Sequence, residues 1–140
     1  MTGVQTCALP ISQEKVAKII NEQYNNTPDG ICGNEDCGQM SSWYVWNAMG
    51  MYPLNPATGN YDFGTPIFNK VTFKVDAGKS FSILAPKVSP KNIYIQSISL
   101  NGKPYNKLYI KHAEIMKGGT LEFEMGSKPQ KKLATYEVPN

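Results

Sequence analysis

Residues 28–53 read PDGICGNEDCGQMSSWYVWNAMGMYP, and the fold hinges on how this stretch is parsed. Pro28-Asp29-Gly30 is turn chemistry: proline presets φ and glycine tolerates positive φ. A second irregular run, Gly33 to Gly38, carries Asn34, Glu35 and Asp36 between glycines. From Gln39 to Met49 the pattern predicts a helix with Met40, Trp43, Val45, Trp46, Ala48 and Met49 spread around it. A helix apolar over so much of its surface is expected to be largely buried. Gly50 is placed to stop it. No partner of matching size lies within the first fifty residues.

Working outward, Ser12 to Tyr24 predicts a helix. Val16, Ile19, Ile20 and Gln23 or Tyr24 recur at three- and four-residue steps, and Ser12 is a suitable cap. Beyond Pro53 the period changes to two. Residues 71–75, 80–84 and 93–100 read as strands, and Asn101-Gly102 signals a hairpin answered by residues 104–110. Glu114 to Met116 fits one helical turn, and residues 120–125 alternate as a last strand. The expectation is two helices followed by five or six antiparallel strands, with no internal repeat and a frayed end after Gly126.

Composition bounds the function. Of 140 residues, 41% are hydrophobic and 18% charged, which suits a packed core and argues against disorder. A net charge of +3 is too small to argue for nucleic acid; its densest cluster, Lys128, Lys131 and Lys132, reads as a solvated tail. No apolar run reaches the ~18 residues of a membrane span. Cys32 and Cys37 are five apart, with no second pair and one distant His112, which is not a zinc spacing. A Cys32–Cys37 disulfide is geometrically possible, but free thiols are the default reading. The first eleven residues, MTGVQTCALPI, lack charge and period, and they lack the basic start of a signal peptide. They resemble a translated sequencing-adapter read-through. On that resemblance the segment is expected to pack against nothing, and the natural protein to extend upstream of Ser12.

The densest polar constellation is Asp29 to Gln39. Glycine lets backbone approach a ligand closely. A carboxylate ahead of a helix is favoured in its ionised form by the unpaired N–H groups and the dipole. An oriented, ionised carboxylate is what a general base requires. The plainer alternative is that Asp36 caps the helix and Asn34 makes an Asx-turn. A calcium loop is a third reading, although the acidic ligands do not alternate as in an EF-hand.

The strings PDGICGNEDCGQMSSWYVWNAMGMYPLNPATGNYDFGTP (28–66) and NIYIQSISLNGKPYNKLYIKHAEIMKGGTLEFEMGSKP (92–129) resemble the C-terminal part of the catalytic region of glycoside hydrolase family 92. Members are calcium-dependent, inverting exo-α-mannosidases, many acting on α-1,2 linkages of N-glycan or yeast mannan. The resemblance implies an α+β fragment: the end of an (α/α)6 barrel (two helices), then an antiparallel β-sheet or sandwich segment. The corresponding division is a non-native tail over 1–11, the last barrel helices and catalytic loop over 12–52, the antiparallel β segment over 53–129 and a frayed tail over 130–140.

Asp36 matches the family's general base, which activates water for attack on the anomeric carbon. Glu35 matches a motif acid and, without a specific role, is placed with Asp36 and Asn34 among the expected catalytic residues. Asn34 stands where some members have an acid, which leaves it as a hydrogen-bond partner of water or sugar. Gly33 and Gln39 belong to the motif and are expected to line the substrate pocket. The general acid, and most ligands of the implied Ca2+, lie upstream in the family. The resemblance further implies mannose-containing glycans as substrates, the upstream part of the same chain as a partner, and a periplasmic or secreted location. A stand-alone carbohydrate-binding or structural β-sandwich is the competing reading; a binding module would show an exposed aromatic platform on its strands. Trp43 and Trp46 read as core residues, His112 as a capping or surface residue, and Tyr94, Tyr105 and Tyr109 as ordinary strand positions.

Overall fold

The computed structural model describes residues 8–138. Helix α1 (Ala8–Gln23) and helix α2 (Gln39–Ala48) are followed by β1 (Met51–Tyr52), β2 (Asn60–Phe63), β3 (Lys70–Lys74), β4 (Ser80–Leu84), β5 (Tyr94–Leu100), β6 (Lys103–Pro104), β7 (Tyr109–Lys111), α3 (His112–Met116) and β8 (Gly119–Gly126). The α+β class and the two long helices are as expected.

Helix α1 starts earlier than Ser12 and presents a different stripe. Leu9, Gln13, Ala17 and Ile20 are buried, at steps of four, four and three residues, whereas Ile19 is exposed. Gln13 sets this rotation: it is 1% exposed and its Nε2 donates to the Gly64 carbonyl at 3.2 Å. The Oε1 of the same amide is buried with no hydrogen-bond partner among the described residues. Leu9 belongs to the main apolar core, so the expectation that residues 1–11 pack against nothing does not hold at this position; residues 1–7 lie outside the described residues.

Helix α2 is less enclosed than its composition suggested. Asn47 and Ala48 are buried, Trp43 and Trp46 half-buried, and Val45 exposed. Gly50 ends the helical run as expected, at φ 86°, donating its N–H to the Asn47 carbonyl. A Cβ there would lie 3.0 Å from Pro66, so the position excludes side chains on two counts.

The strands form two sheets. One has the order β1-β2-β7 and the other β3-β4-β8-β5-β6. The expectation of purely antiparallel pairing is corrected at β4 and β8, which run parallel with Phe81 opposite Gly119 and Ile83 opposite Leu121. Parallel neighbours need a long crossover, here the stretch that contains β5, β6, β7 and α3. Asn101-Gly102 makes the expected hairpin, both residues at positive φ, with Leu100 opposite Lys103. The answering strand ends at Pro104, and the chain then leaves to pair Ile110 with Tyr61 in the smaller sheet.

Phe81, Ile83, Leu121, Phe123 and Met125 alternate inward from β4 and β8. In β5 the buried pair is Ile95 and Ile98, because a register shift between Ile95 and Ser97 breaks the two-residue period. Up to Val138 the C-terminal stretch is packed, not frayed. Leu133 is 1% exposed, and Glu137 accepts from Tyr109 Oη at 2.7 Å and Lys107 Nζ at 3.1 Å.

Candidate active-site loop

The connection between α1 and α2 is tied to the helices at several points. Tyr24 and Ile31 form an antiparallel bridge, and Cys32 N–H donates to the Gln23 carbonyl at 3.3 Å. Inside that bridge, Asn25 N–H reaches the Gly30 carbonyl and Gly30 N–H the Thr27 carbonyl, each at 2.9 Å. Tyr24 extends the tie to α2: its hydroxyl donates to the Met40 carbonyl at 3.1 Å, and its ring stacks on Trp43 with centroids 5.7 Å apart. Burial raises the pKa of this phenol, with Cys32, Glu35 and Tyr52 adding in the same direction, so the donor proton is retained.

From Gly33 to Gly38 the loop changes hand. Asp36, Cys37 and Gly38 take φ values of 39°, 61° and 86° in succession. The left-handed region costs an L-residue roughly 1–2 kcal/mol, so this turn is held by its surroundings. Gln39 N–H donates to the Glu35 carbonyl at 3.0 Å, and Ser42 N–H to the Gly38 carbonyl at 2.9 Å.

The plainer sequence reading, with Asp36 as helix cap, is not what the geometry shows. Gly38 occupies the N-cap position and supplies no side-chain bond. The acceptor for the first turn of α2 is Glu35: its Oε1 takes the N–H of Ser41 at 3.0 Å, while its Oε2 is buried with no hydrogen-bond partner among the described residues. Asp36, Asn34 and Gln39 are exposed, and their side chains make no hydrogen bond among the described residues. Gly33 is also exposed, at φ 91°, with open space where a Cβ would stand. The loop therefore separates its two carboxylates: Glu35 turns under the helix and Asp36 is offered outward. Beside the loop runs an open groove of about 480 Å³ that includes Tyr24, Asn26, Ile31, Ser41 and Tyr44 in its lining.

Sequence reasoning did not anticipate the roles of Tyr24 and Glu35. Glu35 stands before the N-cap, so no capping-box spacing announces it. Cys32 and Cys37 are free and exposed. His112 starts α3, donates its backbone N–H to the Gly59 carbonyl at 2.7 Å and meets the Tyr61 hydroxyl through Nδ1 at 3.1 Å, a structural role as expected. Tyr105 donates to the Tyr109 carbonyl at 3.0 Å, and Tyr94 donates to Glu14. The aromatic side chains of the described strands are buried or half-buried. Calcium takes roughly six to eight oxygen ligands. Among the described residues no three His, Cys, Asp or Glu side chains converge.

The chain belongs to glycosyl hydrolase family 92, whose catalytic-domain model matches residues 10–127. It is 36% identical to a solved inverting mannosidase of that family from Bacteroides thetaiotaomicron, with a TM-score of 0.85 over 91% of this chain and 18% of that one. A second family 92 α-mannosidase from the same organism, solved in complex with mannoimidazole, is 39% identical with a TM-score of 0.85, over 91% of this chain and 17% of that one. An uncharacterized secreted glycosidase of Arthroderma benhamiae is 35% identical over 84% of this chain and 16% of its own length. The chain thus spans about a sixth of the length of these relatives. No described helix is long and apolar enough to cross a membrane.

Proposed function

We propose that this chain carries the general-base loop of an inverting exo-α-mannosidase, and that the whole protein removes mannose, through α-1,2 linkages, from N-glycan or mannan outside the cytoplasm. The observation that carries this reading is the placement of Asp36. Its carboxylate is exposed on a fixed left-handed turn, unpaired among the described residues and therefore open to a water molecule. Inversion needs two carboxyl groups on opposite faces of the sugar, far enough apart to admit that water. Asp36 would take the proton as the water attacks the anomeric carbon. The acid that protonates the leaving oxygen, like the ligands of the calcium implied by the family, would come from outside these residues.

Asn34 and Gln39, exposed on either side of Asp36, are suited to hold the water or a sugar hydroxyl; Gly33 leaves room for the sugar. The isolated chain is expected to release no mannose. The secreted relative and the mannosidase neighbours support a secreted or periplasmic location and mannose-containing glycans as substrate.

The decisive experiment is Asp36→Asn in the full-length protein. The substitution keeps the shape and removes the proton acceptor. The expected result is a fall in kcat on the order of 10²–10⁴-fold with KM much less affected, because the lost interaction belongs to the transition state. Activity near wild type would reject the assignment.

A further inference from the structure

We infer that Glu35 is a positioning residue, whose side chain locks the left-handed turn that aims Asp36, and that it accepts no proton in the reaction. This rests on the reading of Asp36 as the base. One Glu35 oxygen is engaged by the helix start and the other faces inward, away from Asp36's exposed side of the loop. Oε1 accepts the N–H of Ser41, the third residue of α2, at 3.0 Å, and Oε2 is enclosed away from solvent. The Glu35 carbonyl accepts Gln39 N–H at 3.0 Å, so backbone and side chain of one residue clasp the helix start from both sides of the Asp36–Cys37–Gly38 turn.

The three residues of that turn would relax from positive φ if the clasp were lost, because two of them carry a Cβ. Gly38 supports the same arrangement. A Cβ at that position would stand 3.8 Å from Glu35 Oε1, so the carboxylate lies directly along the turn it holds. A base displaced by about 1 Å from its water loses on the order of 10²-fold in rate. The effect of losing Glu35 should therefore reach the chemistry through Asp36.

The test compares Glu35→Gln, Glu35→Asp and Glu35→Ala in the full-length protein, using an aryl α-mannoside as substrate. Glutamine keeps the length and an acceptor oxygen; aspartate keeps the charge and withdraws the oxygen by one methylene. Positioning predicts that Gln stays within a few-fold of wild-type kcat. Asp and Ala should fall on the order of 10²-fold with KM little changed, and the acidic limb of the pH–rate profile should be retained in all three. The opposite order, Asp active and Gln inactive with that limb abolished, would show that Glu35 itself takes the proton and would overturn the inference. Equal, unchanged rates in all variants would overturn it too. If Glu35→Ala does not fold, the ranking of Gln against Asp decides alone. Hydrogen exchange at the Ser41 amide, faster in Glu35→Asp than in Glu35→Gln, reads the clasp independently of catalysis. A silent Asp36→Asn beside that exchange pattern would locate the failure in the assignment of the base and not in the clasp.

Discussion

Phe63 of the smaller sheet meets Phe123 of the larger one edge to face, with ring centroids 5.1 Å apart and planes at 75°. The two sheets share no strand, and this contact between two buried rings is one of those that join them in a common core. Edge-to-face aromatic pairs add to the burial of their area. Phe123→Ala should cost about 3–5 kcal/mol, a large part of a typical domain's stability. Urea unfolding of the wild type and variant checks it; a midpoint shift equivalent to less than about 1 kcal/mol would show that the rings pack loosely.

Leu9 is 8% exposed within the same core, one turn before the polar Gln13 anchor. If the helix docks as described, Leu9→Ala costs about 2–5 kcal/mol, whereas Ile19→Ala on the exposed face stays within about 0.5 kcal/mol. Thermal melts of the two variants should differ by several degrees. Equal melting temperatures would mean that the first turn of α1 does not contribute.

At Gly30 the loop closes on itself so tightly that a Cβ would stand 2.0 Å from the Asn25 carbonyl oxygen and 2.8 Å from that of Thr27. Both are backbone atoms, so the turn itself would have to open. Gly30→Ala should destabilise by roughly 1–3 kcal/mol and lower activity in the full-length protein. Gly33→Ala meets open space and pays only for its positive φ, roughly 1–2 kcal/mol. Hydrogen exchange at the Asn25 and Gly30 amides distinguishes the two: it should accelerate in the first variant only.

Asp62 on β2 is half-buried, and burial raises its pKa; hydrogen bonds from backbone N–H groups, including that of Leu54, oppose the shift without cancelling it. With the folded pKa above the unfolded value, the fold favours the protonated carboxyl. Stability is therefore lost as pH rises through the folded pKa. Asp62→Asn should be more stable than wild type at pH 7, and the difference should close near and below the unfolded pKa of about 3.9. A difference constant across that range would show that charge is not its origin.

The local signals were legible in the sequence because they depend on few neighbours. Asn101-Gly102 made its hairpin, Gly50 stopped α2, and residues 80–84 and 120–125 kept a two-residue period, since turn chemistry and strand pleat are properties of adjacent residues. The motif around Asp36 was likewise visible as polar residues on glycine-rich backbone. What the string could not disclose was set by residues far apart along it. The parallel pairing of β4 with β8 depends on a crossover that only the assembled sheet requires. The rotation of α1 was decided by Gln13 reaching Gly64, fifty-one residues away. The different surroundings of Glu35 and Asp36 accompany three consecutive residues at positive φ, with one carboxylate on the Ser41 amide and its neighbour exposed. Adjacent acids look equivalent in a sequence because composition records charge but not direction; only the folded backbone gives each carboxylate its own surroundings.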